Sequence, residues 1–308
     1  MANAVTVLLP VYNGQLYLVE SIESILQQSY ANFELLVIDD GSTDNSVEIV
    51  SKYRDSRIRL IRHSKNQGLV RTLNHGLAEA RNELIARHDA DDIAYPERFK
   101  FQIEVMNFHP EIGVCGSGAY IVSNGQKKKK ILFPSSDVQI RWALPFYCPL
   151  IHPSIMYRRS VVGSVSGYSI APEANYCEDY ELWIKLLPFT KFYNINRPLM
   201  DLRKHHSNMT VAKRDFHIQQ TTKLIKQYVD KQLKRNVPID LIRWLQNAPN
   251  TPASNRRTML ILNLYKNYIS QNRMAITDYT KVTASAGVQM VRALKDDLFS
   301  KVTHGVHA

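Results

Sequence analysis

Phe33-Glu34-Leu35-Leu36-Val37-Ile38-Asp39-Asp40-Gly41-Ser42-Thr43-Asp44-Asn45-Ser46 is the stretch on which the fold turns. An apolar strand runs into two carboxylates, and a glycine-hydroxyl turn then offers N-caps for a helix over 47–53. About fifty residues on, the grammar returns: Leu84-Ile85-Ala86 leads into Asp89-Ala90-Asp91-Asp92. Two acidic strand ends in one α/β unit repel unless a cation or hydrogen-bond donors lie between them. A ligand carrying both resolves the conflict, and a nucleoside diphosphate with a divalent metal is the simplest one.

Outward from these turns, strands and helices alternate. Residues 5–9 make a first strand and Tyr12-Asn13-Gly14 a turn. Over 16–28, Leu18, Ile22, Ile25 and Leu26 follow helical spacing. Residues 58–61 are a third strand, Asn66-Gln67-Gly68 opens a helix with Leu69, Leu73 and Leu77 on one side, and 84–86 is a fourth strand. This order predicts an α/β fold with a mostly parallel central sheet flanked by helices. Ligands of such sheets bind at the carboxyl ends of the strands, where Asp39, Asp40, Asp89 and Asp91 fall.

Further on, the spacing predicts a helix over 96–108 with proline in its first turn and Asp92 as cap, and a strand over 113–122. Lys127–Lys130 reads as a solvated hairpin tip, 151–157 as a strand, 178–187 as a helix, and 191–195 and 199–202 as strands. Beyond 212 the chain reads as helical, for example over 222–233 and 259–269, with a break at 247–252. The expected division is a catalytic region 1–212 and a basic helical appendage 213–308.

Composition narrows the function classes. No run approaches the roughly 18 apolar residues of a membrane-spanning helix, and the start lacks a basic leader, so the chain is expected in the cytoplasm. Cys115, Cys148 and Cys177 suit neither zinc nor a disulfide framework and are expected as plain thiols. Of the net charge of +11, residues 211–308 carry 16 Lys+Arg against 6 Asp+Glu, leaving 23 against 22 in the first 210. A basic helical tail bearing Leu224, Ile225, Tyr228, Leu241, Ile242 and Trp244 suits an anionic membrane surface, a partner, or packing on the rest of the chain. No nucleic-acid module accompanies the charge, so nucleic acid is not an expected partner. Neither a dinucleotide nor a P-loop glycine motif is present.

The ordered blocks Pro10-Val11-Tyr12-Asn13, Val37-Ile38-Asp39-Asp40-Gly41-Ser42-Thr43-Asp44, Asn66-Gln67-Gly68 with Asn74-His75-Gly76, Asp89-Ala90-Asp91-Asp92 and Glu178-Asp179-Tyr180-Glu181-Leu182-Trp183 resemble those of family 2 glycosyltransferases. Each block is weak alone; the order is specific. The resemblance covers about residues 4–210 and implies the GT-A nucleotide-diphospho-sugar transferase fold, with inverting transfer from a nucleotide sugar, UDP-linked, to a glycan or lipid-linked acceptor.

The resemblance also implies roles. Pro10 and Tyr12 lie under the nucleobase, where Tyr12 stacks on the ring; the alternative is a tyrosine covering the sheet edge. Asp40 accepts the uracil imide N–H while Asp39 braces the loop, and Gly68 belongs to the same donor pocket. Asp44 is part of the helix start. Asp91 binds Mn²⁺ or Mg²⁺ and Asp89 lies toward the ribose or a metal-bound water, although a lone Asp-x-Asp is usually a solvated loop. Asp179 is the catalytic base, with a pKa expected to be lowered by the helix N-terminus; alone it reads as a first-turn helix carboxylate. Arg203 holds the diphosphate and His205, or its neighbour His206, completes the metal site. His152-Pro153-Ser154 resembles a segment near the acceptor. The competing readings are a sugar-nucleotide nucleotidyltransferase, which lacks its glycine-rich triphosphate loop here, and a non-catalytic scaffold of the same fold.

Overall fold

The computed structural model describes residues 4–123, 125–171, 177–205, 214–246, 256–272 and 278–290. The chain divides into two compact units, Met1–Ser135 with Pro149–His217, and Ser136–Cys148 with Ile218–Ala308.

The first unit is built on one mixed sheet. Strands β1 (Val5–Val11), β2 (Phe33–Asp39), β3 (Ile58–Arg62) and β4 (Leu84–Arg87) lie in the order β3-β2-β1-β4 and are all parallel. Every residue of β1 is buried, the mark of a strand covered on both faces. Helices α1 (Leu18–Leu26), α2 (Ser46–Ser51) and α3 (Leu69–Glu79) connect these strands. Ile22 and Ile25 of α1 join Val7, Leu9, Leu35 and Val37 in a core from which water is excluded. Register sets the site: Val11 pairs with Asp39 and Leu8 with Arg87, so the acidic turns emerge on either side of the end of β1.

Beyond β4 the sheet continues through antiparallel and parallel pairs. Strands β5 (Ile93–Ala94), β6 (Ile112–Ser123), β7 (Gln126–Ile131), β8 (Met156–Arg158) and β9 (Lys191–Arg203) complete it, with α4 (Arg98–Phe108), α6 (Arg159–Gly163) and α7 (Glu178–Leu186) outside. A further helix, α5 (Asp137–Ala143), belongs to the second unit.

Three local expectations change. Lys127–Lys130 form β7 itself, an edge strand pairing with β6, and the turn lies at Gly125, whose φ of 71° favours glycine. The strand expected over 151–157 is a 3-10 turn at His152–Ser154 followed by the short β8, because proline lacks the N–H a strand interior needs. The two strands expected over 191–202 are one, β9, which spans Pro198 at a register shift against β6. The cysteines carry thiols rather than disulfides, with Cys115 and Cys177 buried.

The second unit is helical, with Ile239–Leu245, Arg256–Gln271 and helical residues 278–290 beside most of Arg214–Leu233. Trp142 stacks edge-on against Tyr265 at 6.1 Å and donates to Ser285 Oγ at 3.0 Å. The expected break at 247–252 lies outside the described residues. Among the described residues no helix is long and apolar enough to cross a membrane.

Candidate active site

The end of β2 delivers a carboxylate that the protein itself satisfies. Asp40 is 3% exposed. Its Oδ1 accepts the Gln67 N–H and its Oδ2 the Gly68 N–H, each at 2.9 Å, while His63 Nδ1 lies 2.8 Å from Oδ1. Nε2 of that imidazole is 2.7 Å from His75 Nδ1. Of about four lone-pair sites on a carboxylate, one on Oδ2 is left. Asp39 lies 3.3 and 3.4 Å from the Ser42 N–H it accepts and 4.0 Å from Arg62 Nε. Asp39 thus contacts the glycine-hydroxyl turn, while Asp40 holds the loop that carries Gly68, whose φ of 90° favours glycine.

The loop after β1 is laced to the glycine-hydroxyl turn. Asn13 N–H donates to Ser42 Oγ at 3.0 Å, Gly14 N–H to Ser46 Oγ at 2.9 Å, and Gln15 N–H to Asp44 Oδ2 at 3.0 Å. Asp44 also accepts from Ser46 N–H at 3.0 Å, so it organises the start of α2 as expected. Pro10 is buried in β1, and Tyr12 at its end is 51% exposed, leaving its ring face available. On the other side, a Cβ placed on Gly14 would lie 3.5 Å from Ala90 Cβ and 4.0 Å from Ser46 Oγ. Little more than one glycine backbone separates the two acidic turns.

The turn after β4 has the opposite balance. Carboxylate oxygens of Asp89, Asp91 and Asp92 lie within 4.8 Å of one another. Asp89 pairs with Nη1 of the buried Arg87. Asp91 Oδ2 is 2.8 Å from His205 Nε2. Asp92 Oδ1 accepts the Arg203 N–H at 2.9 Å, so it ties the end of β9 to the turn. It does not cap the next helix, which starts at Arg98 after Glu97 without a side-chain cap. Burial, joined by the charges of Asp89 and Asp91, pushes the Asp92 carboxyl well above the usual carboxylate range. Burial likewise raises Asp89, against the pull of Arg87. Three hard oxygen donors, with one guanidinium and one imidazole beside them, are a fitting set for Mn²⁺ or Mg²⁺.

Arg203 reaches across the mouth of this turn. Its guanidinium lies 4.3 Å over the Tyr17 ring and donates to Glu20 Oε2 at 2.7 Å, and the Tyr17 ring lies 5.1 Å from that of His205. His206, the alternative ligand, lies outside the described residues.

Glu178 and Asp179 open α7. Asp179 Oδ1 accepts the Tyr180 N–H at 2.7 Å. The expected lowering of its pKa does not occur: burial pushes it up and outweighs Tyr180 N–H, His217 and Arg87, which pull it down. Glu178 is pushed up to about 7 by burial and by the charge of Asp179. Behind them, His152 Nε2 is 2.8 Å from the Tyr168 hydroxyl, and Asn74 clasps the Tyr168 backbone by bonds of 2.8 and 2.9 Å. Burial holds the His152 imidazole well below its usual pKa, hence neutral.

Comparisons with known proteins identify the family. Residues 6–165 match the model of glycosyl transferase family 2. The chain belongs to that family. It is 33% identical over 207 residues to EpsE of Bacillus subtilis (strain 168), named as a glycosyltransferase, covering 65% of this chain and 73% of that one. The O-antigen biosynthesis glycosyltransferase WbnJ of Escherichia coli is 28% identical over 215 residues, covering 67% of this chain and 82% of that one. The crystal structure of S. aureus TarS 1-349 in complex with UDP-GlcNAc superposes with a TM-score of 0.63, covering 99% of this chain and 92% of that 1-349 chain, at 16% identity. The protein is a glycosyltransferase with the GT-A fold and with relatives in polysaccharide biosynthesis.

In this glycosyltransferase several residues at the site escape the sequence motifs. Arg87 carries a signal, since a fully buried strand ending in arginine just before an acidic turn implies an internal ion pair. His63 behind Asp40 and Tyr17 under Arg203 carry none, because their roles arise from contacts between segments far apart in the chain.

Proposed function

We propose that this glycosyltransferase moves a sugar from a UDP-linked donor to a hydroxyl of a glycan or glycolipid acceptor, with inversion at the anomeric carbon, in the making of a surface polysaccharide. The observation that carries the reading is the trio Asp89, Asp91 and Asp92, whose carboxylate oxygens lie within 4.8 Å of one another, with Asp89 paired to the buried Arg87 and His205 Nε2 2.8 Å from Asp91 Oδ2. The likeness to TarS in complex with UDP-GlcNAc supports the donor class, and the likeness to WbnJ the polysaccharide.

In this reading Tyr12 stacks on the uracil beside Pro10, a contact of the kind worth about 1–3 kcal/mol. The spare lone pair of Asp40 takes the imide N–H, and Gly68 lets its loop approach the base. Asp89 faces the ribose, Arg203 exchanges Glu20 for the diphosphate, and Asp91 with His205 holds Mn²⁺ or Mg²⁺. The metal, when bound, neutralises charge on the departing nucleoside diphosphate. Asp179 accepts the proton of the acceptor hydroxyl as that oxygen attacks the anomeric carbon from the face opposite the diphosphate. Single displacement inverts the centre. The raised pKa of Asp179 makes it a stronger base than an ordinary carboxylate. Residues 1–212 form the catalytic part, and the basic residues 213–308 meet an anionic membrane surface.

The test is transfer from a panel of UDP-sugars with Mn²⁺, reading product anomeric configuration by NMR. Inverted product is expected, and Asp179→Asn lowers kcat by about 10²–10⁴-fold while the donor Kd holds. A retained configuration, or full activity in Asp179→Asn, contradicts the reading.

A further inference from the structure

The two imidazoles behind Asp40 form a chain in which every link is a short contact, and three segments supply it. Asp40 follows β2, His63 follows β3, and His75 stands within α3, the helix that Gly68 precedes. The first two backbones are pinned independently of the side chains. Asp40 N–H donates to the Val11 carbonyl at 2.7 Å, and His63 N–H to the Asp39 carbonyl at 2.8 Å. The sheet itself therefore brings the carboxylate and the first imidazole together. Asp40 and His63 are buried, and His75 is half-buried.

The hydrogens of the chain follow from its chemistry. Asp40 Oδ1 already accepts the Gln67 N–H, and an ionised carboxylate can only accept, so the hydrogen of the 2.8 Å contact sits on His63 Nδ1. In a neutral ring Nε2 is then the acceptor, and the hydrogen of the 2.7 Å contact belongs to His75 Nδ1. The ring planes differ by 15° at a centroid separation of 5.0 Å, so the rings meet edge to edge, as an in-plane N–H···N bond requires. His75 thus sets the tautomer of His63.

Holding the loop does not ask for this chain. The Gln67 and Gly68 N–H groups are satisfied by one lone pair on each oxygen. The imidazole takes the other direction on Oδ1, and the one left to Asp40 lies on Oδ2. A base with an imide N–H, such as uracil, fills it. Cytosine carries a bare ring nitrogen at that place and meets the carboxylate lone pair to lone pair.

We propose that His63, held in one tautomer by His75, is a positioning residue for nucleobase selection: it fixes the Asp40 carboxylate so that a single acceptor direction faces the base. The inference rests on Asp40 as acceptor of the base imide. Without His63, both oxygens of Asp40 have a free lone pair, the carboxylate loses its fixed orientation, and selection between the two pyrimidines weakens.

Calorimetric titration of UDP and of CDP with Mn²⁺ tests this in wild type, His63→Leu, His63→Asn, His75→Leu and the double leucine variant, with Tm measured alongside. Wild type is expected to prefer UDP by about a hundredfold or more. His63→Leu should weaken UDP by about tenfold and CDP far less, so the preference shrinks. A purely structural role would lower Tm and leave the ratio of the two affinities in place. His63→Asn keeps an N–H near the position of Nδ1 and should recover most of the preference. His75→Leu should lose about threefold, and the double variant should match His63→Leu alone, because His75 acts through His63. A preference in His63→Leu within about twofold of wild type, or losses that simply multiply in the double variant, overturns the proposal. Should His63→Leu not fold, an undiminished preference in His75→Leu overturns it. Wild type that binds UDP and CDP alike would instead sink the parent reading of Asp40, so the two failures are distinguishable.

Discussion

The turns that end β2 and β4 are both written as aspartates after an apolar strand, yet one is electrostatically complete and the other is not. At the first, Asp40 takes two backbone N–H groups and an imidazole, all within 2.9 Å. At the second, Asp89, Asp91 and Asp92 crowd within 4.8 Å, and burial with mutual repulsion drives Asp92 toward its protonated form. The first turn uses its charge to hold a loop. The second gathers three carboxylates beside one guanidinium and one imidazole.

Removing the acceptor from the complete turn should give the larger effect on stability. Asp40→Asn leaves two N–H groups facing an amide and is expected to cost about 3 kcal/mol, read by chemical denaturation. Because that loss concerns internal donors, Mn²⁺ should not restore it. Recovery by Mn²⁺ would mean that the two turns share one charge balance and would erase the contrast.

A smaller effect should appear with pH. Glu178 is raised from 4.5 to about 7 and Asp89, Asp92 and Asp179 are raised as well. The native state then binds more protons than the unfolded chain between those values. These groups contribute stability that is present below about 4.5 and is lost as pH rises through about 7. The carboxylates' share, read without metal as the difference between the wild type and Glu178→Gln, should fall by about 1–3 kcal/mol across that window. It is set against the buried His88 and His152, which contribute with the opposite sign. Mn²⁺ should flatten the carboxylates' share, since a cation repays ionised carboxylates. A rise in that share over the same window would reverse the sign of the argument.

The contrast also marks where sequence reading stops. The alternation of strand and helix through residue 87 was legible because buried parallel strands need continuous apolar runs, and β1, β2 and β4 have them. The later strands were harder. Pro198 breaks the pattern of β9 although a register shift accommodates it, and the lysines of β7 look like a loop because an edge strand tolerates charge on both faces. The acidic residues were visible as letters, but their division of labour was not. Which of Asp39 and Asp40 meets the Gln67-Gly68 loop depends on where a segment about twenty-seven residues away returns. Asp92 likewise serves Arg203, more than a hundred residues on, rather than the adjacent helix. The Asp179 pKa turned on burial, which outweighed the helix N-terminus that the sequence does reveal.

The most direct test is calorimetric titration of a UDP-sugar into wild-type protein and Asp91→Asn, each with Mn²⁺ and with chelator. Donor binding is expected to need Mn²⁺ in the wild type and to be lost in Asp91→Asn, because the turn after β4 then lacks its charge for the cation. Equal donor affinity with chelator, or undiminished Mn²⁺-dependent binding in Asp91→Asn, would contradict the claim that this turn is built around a metal-bridged diphosphate.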